Sequence, residues 1–323
     1  MPDMDDLKPY ENCRLCPRAC GVNRLQEGKR GRSGFCGESH LLRVAYVGPH
    51  FGEEPPITGT RGSGTVFFTG CSLRCSYCQN YQISREGLGE TLTPEELFER
   101  VSAMIRRHRV HNLNLVTPDH FFPHAFRLVH LLRRSGNDLP VVYNLSGYQS
   151  LAALKQAEEW ADIYLPDFKY ADTAVAKRLS MCPDYPRIAL EAIVEMVRQK
   201  GFLDSIEGDS PLARKGVLVR HLILPGRVGN SLDALSTLFL EFGSQLPLSL
   251  MSQYTPACSL EDEDLHRAVT EEEFRRVYEH ALDLGLENLF VQFPEQHRED
   301  PSPKRPFLPD FRRRPPFAGG VQD

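Results

Sequence analysis

Residues 62–84 read GSGTVFFTGCSLRCSYCQNYQIS. Thr65-Val66-Phe67-Phe68 is a short apolar, β-prone run, and a glycine and three cysteines follow it at once. Cys71, Cys75 and Cys78 stand in CxxxCxxC spacing within eight residues. Such a loop can wrap one corner of a cubane, because iron–sulfur clusters are held by cysteine thiolates. A [4Fe-4S] cluster wants four ligands and only three are offered. One iron is therefore left open for a small molecule, as a coordination position is on a catalytic zinc. A zinc site would instead take two CxxC-like pairs, or a Cys/His mixture with a local fourth ligand.

Working outward, the pattern after residue 65 alternates. Strand-like runs fall at 112–116, 140–144, 162–165, 217–224, 247–253 and 288–292. Helical stretches lie near 94–109, 121–135, 149–159, 173–200, 231–243 and 270–283. Thr93 can cap the first helix, with Pro94 at its first position and Glu95 and Glu96 in its first turn. Thr270-Glu271-Glu272-Glu273 is a capping box. Strand alternating with helix predicts an α/β fold with a parallel sheet. Six repeats and a last strand fall short of eight, so a partial (β/α)6 TIM-like barrel, open on one side, is expected. An open doubly wound sheet is the alternative. In either, the ligand site lies at the C-terminal ends of the strands.

The 323 residues carry a net charge of −5, which does not point to nucleic acid or an anionic membrane. No apolar run reaches the roughly 18 residues of a membrane span. The N-terminus is acidic and polar, unlike a secretory signal, so the expected location is cytoplasmic. Nine cysteines in a reducing compartment read as metal ligands before disulfides. Cys13, Cys16, Cys20 and Cys36 are a second group, a full ligand set for structural zinc or an auxiliary cluster. Seven Lys/Arg against two Asp/Glu between Arg14 and Arg43 would offset thiolate charge. The expected organisation is a Cys-rich metal-binding element at 1–48, a connector at 49–64, the barrel at 65–295 and a Pro/Arg-rich tail at 296–323. Phe307, Leu308 and Phe311 of the tail are apolar enough to dock on the body.

The stretches CRLCPRACGVNR, GRSGFCGE, GSGTVFFTGCSLRCSYCQNYQIS, NLVTPDHF, YNLSGYQS, DIYLPDFKY, RHLILPG and LMSQYTP make the chain resemble the radical SAM superfamily. Within it, the chain is most similar to the activating enzymes of glycyl-radical enzymes and to pyruvate formate-lyase activating enzyme-like proteins. The resemblance implies that S-adenosylmethionine chelates the open iron and is cleaved by one electron to methionine and a 5′-deoxyadenosyl radical, which takes a hydrogen atom from a substrate. It also implies an electron donor such as flavodoxin or ferredoxin, and a glycyl-radical enzyme or other protein or peptide as substrate.

The same resemblance places Tyr77 beside the adenine and Asn144 and Ser146 at the ribose and methionyl ends. Asp167-Phe168-Lys169 matches the family's Asp-Leu-Lys. Where the family has Gly-Gly-Glu after the second barrel strand, this chain has Thr117-Pro118-Asp119. Thr117 would then accept from the methionyl amino group and Asp119 would supply the negative charge. Two other functions stay open: a radical enzyme acting on a small molecule or peptide, and a non-catalytic metal-binding or redox adaptor.

Overall fold

Strand and helix alternate along the chain in a parallel sheet curved into a partial barrel. The computed structural model describes residues 7–26, 34–205, 211–258, 261–294 and 308–317. The strands are β1 (Arg43–His50), β2 (Ser63–Phe68), β3 (Glu90–Thr91), β4 (Leu113–Val116), β5 (Val141–Leu145), β6 (Ile163–Pro166), β7 (Gly216–Val217), β8 (Val219–Leu222), β9 (Leu248–Met251) and β10 (Leu289–Val291). β2, β4, β5, β6 and β7 pair in parallel in that order, and β8, β9 and β10 continue it. β7 and β8 are one strand interrupted at Leu218, and a parallel bridge from Asp167 to Arg220 carries the pairing across the break. Apart from β3, which pairs antiparallel with β1 at the sheet edge, spatial order follows chain order. A doubly wound sheet reverses at its switch point, so the partial barrel is the architecture.

The main helices are α1 (Pro94–His108), α2 (Phe122–Arg134), α3 (Leu151–Ala157), α4 (Thr173–Ser180), α5 (Tyr185–Lys200), α6 (Val228–Phe242) and α7 (Glu271–Asp283). Both expected caps form. Thr93 accepts from the Glu96 amide while Glu96 accepts from the Thr93 amide, and Thr270 and Glu273 do the same. β2, β4, β5 and β6 are buried along their whole length, as strands sandwiched on both faces must be. Val66, Phe68, Leu115 and Tyr143 pack in one core with Leu97, Val101 and Leu128 of the helices. Val142, Ile163, Leu165 and Leu218 form a second cluster with Leu203 and Ala213.

Two regions differ from expectation. β1 pairs antiparallel with β2 and crosses residue 48, so the boundary drawn there falls inside a strand. Gly48-Pro49 reads as a turn, but proline is tolerated near an edge, where no ladder amide is missed. Pro55–Thr58 adds a helical turn within the expected connector. In the tail, Phe311 and Phe317 join Ala45, Tyr46, Phe67 and Val116 in a third apolar cluster. Phe307 lies outside the described residues. Among the described residues no helix is long and apolar enough to cross a membrane.

Candidate active site

The cysteine loop leaves β2 through two left-handed residues, Gly70 (φ 82°) and Arg74 (φ 53°). A Cβ on Gly70 would stand 2.4 Å from the Glu38 side chain, so only glycine lets the loop pass there. The Leu73 and Arg74 amides point at Cys71 Sγ (3.4 and 3.5 Å), and the Ser84 hydroxyl donates to Cys78 Sγ (3.4 Å). These donors suit thiolates. Burial pushes the Cys71 and Cys78 thiols up, so ligation must displace protons. Among the described residues no three His, Cys, Asp or Glu side chains are arranged to hold a single metal ion. A cubane needs no such convergence, because each thiolate binds a different iron. The donor set fits a cluster.

In front of this loop lies a cavity of about 800 Å³. Cys71, Cys75, Tyr77 and Cys78 line one part of it. Thr117, Asn144, Ser146, Asp167 and Lys169 line it too, from the ends of β4, β5 and β6. The strand-end residues named from the sequence therefore converge, with one exception. Asp119 is not on the cavity wall. Thr117 is left-handed (φ 57°), and the chain turns there into a short 3-10 helix that carries Asp119 behind the cysteine loop. Its carboxylate accepts from Ser72 at 2.6 Å, and burial raises its pKa to about 6. Asp119 thus supports the loop instead of supplying charge to a ligand. Tyr77 is 6% exposed; its hydroxyl accepts from Tyr170, and its ring lies edge-on to Tyr254.

A buried ion network spans the barrel interior. Arg220 donates from Nε to Asp167 Oδ1 (3.1 Å), from Nη1 to Glu53 Oε2 (3.2 Å) and from Nη2 to Asn144 Oδ1 (2.6 Å). Asn114 and Asn144 donate to Glu53 Oε1, at 2.9 and 3.3 Å, and Lys169 Nζ donates to Asp167 Oδ2 at 2.5 Å. Burial opposes ionisation of Asp167, but Lys169 and Arg220 together hold its carboxyl below the ordinary range. Burial raises Glu53 against the pull of Arg220. Burial also raises Glu54, whose Oε2 is buried without a hydrogen-bond partner. Gly147 (φ 82°) lets the end of β5 close on β6, since its Cβ would stand 2.1 Å from the Asp167 carbonyl.

Glu53 and Glu54 escaped the sequence reading. They sit in a turn-rich stretch with no periodic signal, and only the fold carries them into the barrel. The paired acids before Pro55-Pro56 were the one hint.

The N-terminal cysteines pack against the outside of the loop. Cys13, Cys16 and Cys36 are buried and Cys20 is exposed. Arg18 donates to the carbonyls of Ser72, Leu73, Ser180 and Met181, tying this element to the cysteine loop and to the end of α4.

The model of the Radical SAM superfamily matches residues 65–226, half of the chain. The chain belongs to the radical SAM superfamily. A radical SAM enzyme uses a [4Fe-4S] cluster and S-adenosylmethionine, which it cleaves reductively. This one is 27% identical over 311 residues to the uncharacterized protein MJ0674 of Methanocaldococcus jannaschii, covering 90% of this chain and 81% of that protein. Among solved structures it aligns with methylornithine synthase (PylB) at TM-score 0.46 and 18% identity, over 68% of this chain and 60% of that one. HydG, a maturase of the [FeFe]-hydrogenase, aligns at 0.46 and 15%, over 69% and 49%. Streptococcus suis SuiB bound to precursor peptide SuiA aligns at 0.46 and 9%, over 69% and 46%. The chain thus spans less than two thirds of each of these solved chains.

Proposed function

We propose that this radical SAM enzyme abstracts hydrogen from a small polar molecule held inside its barrel. The observation that carries this is the tail packed against the cavity wall. Leu308 and Phe317 line the cavity together with Pro294, and Phe311 and Phe317 pack on Phe67. The chain's own tail therefore takes up space in the mouth that a protein loop would need. The cavity lies in the upper part of the roughly 300–1,000 Å³ range of small-molecule sites, and its interior is charged by Glu53, Glu54 and Arg220.

In this reading Cys71, Cys75 and Cys78 ligate three irons. Tyr77, Thr117, Asn144 and Ser146 surround the cofactor, and Asp167 orients Lys169 toward the cluster side. When bound, cluster and S-adenosylmethionine supply a carbon radical by one-electron cleavage of a C–S bond. The protein's part is to hold both, exclude water and present the substrate.

The test is anaerobic reconstitution of wild type and the Cys71→Ala/Cys75→Ala/Cys78→Ala variant, with 5′-deoxyadenosine measured after dithionite reduction. Wild type is expected to form it and the variant not; equal formation rejects the ligand assignment. Deuterium passing from a labelled small molecule into 5′-deoxyadenosine supports the substrate class. The second reading, activation of a glycyl-radical enzyme, is favoured by the motif similarity at 62–84. It predicts a glycyl EPR signal on a partner protein, and that signal would overturn the first.

A further inference from the structure

We propose that Cys13, Cys16, Cys20 and Cys36 hold a second iron–sulfur cluster, charge-balanced by the buried Arg24, which feeds electrons to the cluster at the cavity. The relay part rests on the reading that Cys71, Cys75 and Cys78 hold that cluster.

Arg24 is only 1% exposed. Its guanidinium donates to the carbonyls of Ser39 (2.6 Å) and His120 (2.7 Å), to Cys13 Sγ (3.6 Å), and lies over the Tyr10 ring. None of these is a carboxylate. Two buried carboxylates feel its charge without touching it: Glu38, which is ion-paired with Arg43, and Asp119, which accepts from Ser72. A buried guanidinium with no counter-charge in direct contact is under-compensated. Neutral thiols cannot supply one. Metal-bound thiolates at Cys13 and Cys36 can, and they would turn an unfavourable burial into a charge-assisted contact.

Four thiolates are the full ligand set of zinc or of a cluster, and the place of the element favours the cluster: zinc is redox-inert, whereas a cluster beside the cysteine loop can carry electrons. Two of the sulfurs face Gly34, whose Cβ would lie 3.3 Å from Cys36 Sγ and 3.5 Å from Cys20 Sγ. Four cysteines fill every position of such a cluster, so it binds no substrate. What remains is electron transfer, and the element is placed for it. The Cys71 amide donates to the Cys36 carbonyl (3.3 Å), and Arg74 donates to the Phe35 carbonyl (3.2 Å). Cys20 is exposed on the outer side, where a protein donor can approach. A one-electron donor such as reduced flavodoxin is oxidised by one electron. The second cluster takes that electron and passes it on, returning to its oxidised form, and no proton need move.

The test uses full-length protein reconstituted anaerobically with iron and sulfide. Cys71→Ala/Cys75→Ala/Cys78→Ala is expected to retain iron and sulfide in near-equal amounts, with an EPR signal on dithionite reduction. Zinc without iron, or no metal, overturns the proposal. Equal iron in this variant and wild type instead indicts the cavity cluster, so the two failures are distinguishable. Arg24→Met is expected to lose at least half of the N-terminal iron while Arg24→Lys keeps it; full retention and an unchanged EPR signal in Arg24→Met reject the charge balance. In Cys13→Ser/Cys16→Ser/Cys36→Ser, the ratio of flavodoxin-driven to dithionite-driven 5′-deoxyadenosine formation is expected to fall at least tenfold. An unchanged ratio rejects the relay.

Discussion

Replacing Arg220 by methionine would leave Glu53 and Asp167 without the cation they share. Arg220 is buried and donates to both carboxylates and to Asn144. Removing one partner of a buried ionic network costs about 3–5 kcal/mol, because the remaining charge stays desolvated. Asp167 keeps Lys169 at 2.5 Å, so Glu53 bears most of the loss. For a chain of this length roughly 2–3 °C of melting temperature accompanies each kcal/mol, giving a fall of about 6–15 °C near neutral pH. The pH dependence tests the cause. Burial already raises the pKa of Glu53, and loss of Arg220 raises it further. A carboxyl raised in the folded state binds its proton more tightly there, so stability is retained at low pH and lost as pH rises through the folded pKa. The deficit of Arg220→Met should therefore shrink between neutral pH and pH 5. Glu53→Gln in the same chain should restore a good part of it at neutral pH. Denaturant unfolding at several pH values reads this out. A deficit under 1 kcal/mol at neutral pH, or one independent of pH, would refute the reasoning.

Three further outcomes follow from single contacts. Asp119, buried with a pKa of about 6 against an ordinary 3.8, destabilises the fold once ionised, by about 3 kcal/mol above pH 6; Asp119→Asn should gain stability at pH 7 and none below pH 4, as thermal melts across that range would show. Arg18→Ala removes four donations to carbonyls of the cysteine loop and the end of α4; iron should leave the reconstituted protein several-fold faster under a chelator, and an unchanged rate rejects Arg18 as a strap. Phe311, 8% exposed, should cost about 3 kcal/mol of tail docking as alanine, read as faster protease cleavage within 308–317; unchanged cleavage means the tail is held by other contacts.

The barrel was legible because its information is local. Each strand is a short apolar run, each helix has a 3.6-residue period, and Thr93 and Thr270 announce two helix starts within four residues of chain. The cysteine loop was legible for the same reason: Cys71, Cys75 and Cys78 fall within eight residues, and their spacing is chemistry in itself. β1 was missed because an antiparallel strand beside the barrel has no helix after it to set the rhythm, and Gly48-Pro49 mimics a turn. Asp119 was misplaced because position after a strand says that a residue is near the mouth, not which way its turn will face. The left-handed Thr117 decides that.

The two glutamates of the polar interior were illegible for a deeper reason. Glu53 meets Asn114, Asn144 and Arg220 at separations of 61, 91 and 167 residues. No local pattern links an acid before Pro55 to an arginine on β8, although Arg220 by itself reads as a residue able to bind a carboxylate. What makes them one unit is closure: once β2 to β9 curve around, the segment after β1 must cross the interior, and any charge it carries must find a partner there. Glu53 has Arg220. Glu54 has an oxygen without a partner, beside a cavity built to receive one more molecule. The chain thus encodes its cluster site in a run of eight residues. It encodes the receiving end of the cavity only through the path its barrel forces on two glutamates.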